Sequence, residues 1–174
     1  CNLANATYDQ FEAHPEAVTA KAMSLGAGNI RAEHLDPGDL AQVETRLRAY
    51  NPDIVFIDQL TGLDHPEANE VSKLLKLARG FRSLLARYEC VGVSICQAGD
   101  RTERSGQEAP AYLGMGDVYS SRTGIPAMCD LMVGVGVNDE LRNIGQRAIT
   151  LPKNKLGGDH GSFIVGYDEP KSRV

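Results

Sequence analysis

Two polar residues in this sequence stand at the ends of short apolar runs and could act together: Asp58, after Ile54-Val55-Phe56-Ile57, and Gln97, after Val91-Gly92-Val93-Ser94-Ile95-Cys96. Apolar runs of this length, flanked by breakers, read as strands buried on both faces of a parallel sheet. Ligands of open α/β sheets bind at the carboxyl ends of such strands, so Asp58 and Gln97 are expected to project into one crevice. A carboxylate there suits a magnesium ion held through water, because Mg2+ prefers oxygen ligands and keeps much of its hydration shell. A glutamine there can sense a terminal phosphate or orient an attacking water. The bland alternative is a pair of solvated strand-end side chains.

The elements that must position these residues alternate helix and strand. Phe11, Val18, Ala22 and Leu25 suggest a modest helix from about Asp9 to Leu25, interrupted near its start by Pro15 and ended by Gly26 and Gly28. Asp36-Pro37 reads as an N-cap and first turn, with Leu40, Val43, Leu47 and Tyr50 at helical spacing behind it. Asn51-Pro52 breaks that helix before the first strand. A longer helix is expected from about Pro66 to Tyr88, with the apolar stripe Val71, Leu74, Leu75, Ala78, Phe81, Leu85 and Tyr88 and with Lys73, Lys76, Arg79 and Arg87 toward solvent. Strand, helix, strand in this order implies a right-handed crossover and parallel pairing. Residues Ala98 to Pro126 hold no sustained period and read as a long loop, either functional or disordered. Cys129 to Val137, Gln146 to Leu151 and Ser162 to Tyr167 read as strands, with turns at Val137-Asn138-Asp139 and Leu156-Gly157-Gly158 and antiparallel pairing among them.

Composition narrows the function classes. At 174 residues the chain has the size of one domain, with 42% hydrophobic and 24% charged residues and no apolar run near the ~20 residues of a membrane-spanning helix. Cys1, Cys90, Cys96 and Cys129 show no CxxC spacing and read as reduced, buried thiols, while His14, His34, His65 and His160 are scattered; no structural zinc is expected. The net charge of −5 argues against a surface that binds nucleic acid everywhere, but a local basic loop acts over about 8–10 Å and is compatible with it. With no initiator Met and no signal-like start, the sequence reads as part of a longer protein.

Four segments in order carry a resemblance. Pro52 to Leu60 resembles the Walker B strand of RecA-like ATPases, and Gly92 to Ala98 the strand that delivers their phosphate-sensing Gln. Met115 to Pro126, running into Ala127-Met128-Cys129-Asp130-Leu131-Met132-Val133, is similar to the segment of DnaB-like and phage ring helicases in which a channel-facing loop returns to the sheet. Ile149 to Gly158, with Lys153-Asn154-Lys155 at its centre, resembles their basic strand-and-turn, where a Lys and an Arg two apart reach the neighbouring subunit's nucleotide.

The resemblance implies ATP and Mg2+ as cofactors, Asp58 for the magnesium ion, Gln97 for the γ-phosphate, and Lys153 and Lys155 acting in trans, where a cation stabilises charge on the transferring phosphoryl group. Lys155 stands where these helicases usually carry Arg, and lysine lacks the planar fork. No G-x-x-x-x-G-K-[ST] loop occurs in the sequence. The family places that loop upstream of Cys1, expected within roughly 50 residues given the size of a βαβ unit. Where the family's catalytic Glu ends a strand, Cys1-Asn2-Leu3-Ala4-Asn5 offers Leu3 and Ala4 instead. DNA contact falls to Arg101, Arg104 and Arg122, spaced by small and polar residues as in a segment that meets phosphates rather than bases; Glu103 and Glu108 dilute their charge.

The expectation is therefore residues 1–174 of a RecA-like ATPase domain, a three-layer α/β sandwich around a mainly parallel central sheet with late antiparallel strands. In the intact protein it serves a cytosolic replicative DNA helicase that moves on single-stranded DNA as a homo-oligomeric, hexameric ring. Alternatives are a recombination- or repair-type RecA-like ATPase without unwinding, and a catalytically impaired DNA-binding or oligomerisation module.

Overall fold

Several helix starts among the described residues are set by short polar side chains that cap free backbone N–H groups. The computed structural model describes residues 4–36, 38–99, 111–119 and 124–167. The N-terminal helical segment is two helices, α1 (Tyr8–Ala13) and α2 (Pro15–Ser24), with Pro15 opening the second. Thr7 and Gln10 form a capping box on α1.

Helix α3 (Leu40–Tyr50) starts later than the Asp36-Pro37 pair suggested, because Asp39 is the cap: its Oδ1 accepts from the Gln42 N–H at 2.8 Å. Pro37 lies outside the described residues. Likewise α4 (Glu70–Arg87) begins at the Asn69 cap rather than at Pro66, Asn69 Oδ1 accepting from the Ser72 N–H at 2.9 Å.

Strand β1 (Ile54–Asp58) leads through α4 to β2 (Val91–Ile95), and the two pair in parallel, Ile54 opposite Val91 and Asp58 opposite Ile95. The face of this pair that packs on the helices holds the core, in which Val43 and Leu47 of α3 meet Leu74, Leu77, Ala78, Phe81 and Leu84 of α4, with Val55 and Ile57 against them. Leu74, Ala78 and Phe81 of the expected stripe are buried and Leu85 and Tyr88 pack against them, but Leu77 and Leu84 join the core and Val71 is exposed. Leu85 lies over Gly92 of β2, where a Cβ would overlap Leu85 Cδ1; the glycine lets helix and strand approach.

The other face of β1 and β2 is open: Ile54, Phe56, Val91, Val93 and Ile95 are exposed, Phe56 to 71%. The strands are thus buried on one face, not both. After a short helix α5 (Gly124–Met128), strands β3 (Leu131–Gly136), β4 (Gln146–Asn154) and β5 (Ser162–Gly166) form a separate antiparallel sheet in the order β3-β4-β5, with helix α6 (Asp139–Asn143) capped by Asn138 where a turn was expected. The late antiparallel pairing is as read from sequence. A mainly parallel sheet between two helical layers is not what the described residues form: they give a two-stranded parallel sheet and a three-stranded antiparallel one.

One acidic side chain ties the segment before α3 to that helix. Glu33 accepts from Tyr50 Oη at 2.7 Å, from Arg31 Nε at 2.9 Å and from Arg46 Nε at 2.5 Å, while Arg31 stacks 4.0 Å from the centroid of the Tyr50 ring. These donors, Tyr50 foremost, lower the Glu33 pKa to about 2 from its usual 4.5. A carboxyl depressed in the folded state adds stability fully above its unfolded pKa and loses it as pH falls through the folded value. The chain should therefore lose stability as pH falls from about 4.5 toward 2. Chemical denaturation across that window should show a shallower pH dependence for Glu33→Gln; an identical dependence in both proteins would contradict the assignment.

Candidate functional site

Asp58 and Gln97 lie toward the same edge of the β1-β2 pair. Asp58 is the last residue of β1 and pairs with Ile95, so Gln97 stands two residues further along the neighbouring strand direction. Adjacent strands lie about 4.8 Å apart and rise about 3.3 Å per residue, which puts the two backbones within roughly 8 Å. Side chains alternate along a strand, so Asp58 shares a face with Ile54 and Phe56, the open face of the sheet. Both Asp58 and Gln97 are exposed.

The chain after Gln97 is fixed by pairing. The Tyr119 N–H donates to the Gln97 carbonyl at 3.0 Å and the Gly99 N–H to the Asp117 carbonyl at 2.6 Å, around an antiparallel bridge between Ala98 and Val118. The return strand is shaped by Asp117, which is buried and whose Oδ2 accepts from the Gly114 N–H at 2.7 Å. Gln97 is thus backed by backbone pairing although it lies beyond the strand itself. The Asp58 carboxylate makes no hydrogen bond or ion pair among the described residues, which leaves both oxygens open to a hydrated cation.

Lys153 and Lys155 form a second group. Pro152 has no N–H for the ladder, and the β3-β4 register shifts between Met132 and Gly134, facing it. Beyond this bulge Lys153 pairs with Met132, and the Lys155 N–H donates to the Asp130 carbonyl at 2.8 Å. Gly157, at φ +86°, turns the chain after them. Lys153 is half-buried and its ammonium donates to the Pro126 carbonyl; burial foremost, with Lys155 nearby, lowers its pKa. Lys155 is exposed, with Nζ 3.7 Å from Asp130 Oδ1.

Sequence reading missed two members of this group. Arg82 of α4 donates from Nη2 to Asp130 Oδ1 at 3.1 Å and from Nη1 to the Met128 carbonyl, and its guanidinium, ahead of Lys155, holds the Asp130 carboxyl below its usual range. The contact spans 48 positions in sequence, and nothing local separates Arg82 from the other charges on the solvent side of α4.

Among the described residues no hydrogen bond or ion pair links Asp58 or Gln97 to Lys153 or Lys155. The two groups belong to different sheets. Helix α4 leaves the Asp58 end of β1 and returns to the start of β2, and Arg82 sits about 18 Å along it at 1.5 Å per residue. Lys155 is held there, away from the Asp58 end. Arg101, Arg104 and Arg122 lie outside the described residues, as do Cys1 and Leu3. Cys90, Cys96 and Cys129 are free thiols, partly buried, with burial raising the pKa of each.

No family model matches the chain, and no curated protein matches it in sequence. Solved structures do match. A DnaB-like replicative helicase, determined for its interactions with primase, superposes with a TM-score of 0.78 at 14% identity over 98% of this chain and 44% of its own. A second solved structure, an isolated ATPase domain, superposes with a TM-score of 0.78 at 13% identity over 99% of this chain and 66% of its own. This chain therefore has the fold of part of a DnaB-like helicase ATPase domain and spans less than two thirds of the length of either chain.

Proposed function

We propose that this chain is part of the ATP-hydrolysing motor of a replicative ring helicase, carrying the magnesium, phosphate-sensing and trans-acting elements of its nucleotide site. The observation that carries this reading is Asp58 at the carboxyl end of β1, with Gln97 two residues beyond its partner Ile95 at the same sheet edge, in a chain that shares its fold with a DnaB-like helicase over 98% of its length. The residues present fit a hydrated magnesium ion: Asp58 is exposed, on a rigid strand, with its oxygens free among the described residues. Bound there, the ion neutralises negative charge on the nucleotide phosphates. Asp58 holds it through water, Gln97 orients the attacking water or contacts the terminal phosphate, and Lys155, with Lys153 behind it, meets the nucleotide of the adjacent subunit. Arg101, Arg104 and Arg122 supply the DNA contacts, and several copies around a ring offset the weak binding of one loop.

In the intact protein the open apolar face of β1 and β2 is covered by a second helical layer, which completes the three-layer sandwich. An open stripe of this size is unusual for a finished domain surface, which supports that reading.

The test uses the intact protein: native mass, DNA-stimulated ATP hydrolysis and strand displacement on a forked duplex. A ring that hydrolyses ATP with DNA stimulation and displaces the strand is the expected result. Hydrolysis by a non-ring assembly without displacement would favour a recombination- or repair-type ATPase, and absence of hydrolysis would favour a non-catalytic module.

A further inference from the structure

The single carboxylate of Asp130 faces two cations, and they are held differently. Arg82 is fixed at both arms, Nη2 on Asp130 Oδ1 at 3.1 Å and Nη1 on the Met128 carbonyl. Lys155 reaches the same oxygen at 3.7 Å by one atom on a flexible stem. The Lys155 backbone is nonetheless anchored, its N–H on the Asp130 carbonyl at 2.8 Å, so the side chain can swing from a fixed root. All three side chains are about half exposed, at 48%, 49% and 50%, and open to an approaching group. Lys153 is the contrasting case, half-buried and with its ammonium on the Pro126 carbonyl.

We propose that Asp130 and Arg82 are positioning residues for Lys155: Asp130 aims its ammonium at rest, and Arg82 keeps Asp130 paired when Lys155 leaves for a neighbouring subunit's phosphate. The proposal rests on the trans-acting role read for Lys155 above. Its physical basis is competition. Exposed ion pairs are weak, so a phosphate can take Lys155 from Asp130 readily. Were Asp130 left without a partner by that move, it would pull Lys155 back. The guanidinium prevents this, because its planar fork stays on the carboxylate and the backbone carbonyl together. The trio carries one net positive charge, that of the cation which is free to go.

This arrangement predicts an unusual ordering of variants in the intact protein. Arg82→Gln leaves Asp130 to capture Lys155 and should lower the ATPase kcat by about two- to fivefold, the range an exposed ion pair can oppose, with KM for ATP little changed. Asp130→Asn removes both aim and capture and should cost less. The double variant should regain most of the loss of Arg82→Gln, because nothing then holds Lys155 back. In a Lys155→Ala background all three changes should have no further effect on kcat. A purely structural role for Arg82 would instead make the double variant at least as impaired as Arg82→Gln, with a matching drop in unfolding temperature, and that result would overturn the proposal. If Lys155→Ala alone leaves kcat unchanged, the trans-acting reading itself fails and the positioning roles fail with it. If Lys155→Ala is impaired but Arg82→Gln is not, only the positioning roles are wrong.

Discussion

Replacing Asp58 with Ala in the intact protein should reduce ATP hydrolysis by at least two to three orders of magnitude, the loss typical of removing one group that stabilises developing charge in a reaction site, while leaving the fold in place. The separation follows from the surroundings of this side chain. Asp58 is exposed and its carboxylate has no partner among the described residues, so its removal breaks no hydrogen bond and opens no cavity. Surface substitutions of this kind shift stability by about 0.5 kcal/mol or less. Rates measured over a range of Mg2+ concentrations, beside a thermal unfolding curve, check both halves. Near-parental hydrolysis by Asp58→Ala would remove the carboxylate from the reaction. Hydrolysis lost together with several degrees of unfolding temperature would make Asp58 structural.

The largest effect on stability should come from the helix that spaces the two strands. Leu77 and Leu74 of α4 are fully enclosed, at 0% exposure, at the centre of the core that α3, α4 and the packed face of β1 share. Truncating either to Ala removes the transferred apolar surface and leaves a cavity, at a cost of about 2–5 kcal/mol. Domains hold only about 5–15 kcal/mol in total, and for a chain of this size each kcal/mol moves the midpoint by roughly 2–4 °C. Leu77→Ala should thus lower the unfolding midpoint by roughly 5–15 °C, whereas Val71→Ala, on an exposed position of the same helix, should change it little. Equal effects at the two positions would mean that Val71 is as buried as Leu77, contrary to the packing of α4 described. The same helix spaces β1 and β2 and carries Arg82, so losing its packing should also weaken both candidate groups of site residues.

What the sequence determined by itself was local and periodic. Ile54 to Asp58 and Val91 to Ile95 announced themselves as strands because an apolar run between breakers has few other uses, and a helix of the right length between them required parallel pairing. Placing Asp58 and Gln97 at the same edge needed little more, since in a parallel pair the strand ends coincide, Asp58 opposite Ile95 and Gln97 two residues beyond. Other features depended on partners that sequence distance conceals. Whether β1 was buried on one face or two could not be read from Ile54 and Phe56, because an apolar side chain looks the same whether or not anything covers it. The choice of Leu77 over Val71 for the core came from the fit of α4 on α3 and on Gly92, a matter of volume rather than of period. Arg82 and Asp130 meet across 48 positions, and only the folded chain shows that a surface arginine on α4 and the residue before β3 share one carboxylate oxygen with Lys155. Periodicity reports which way a side chain faces on its own element; what stands opposite is fixed only when the elements pack.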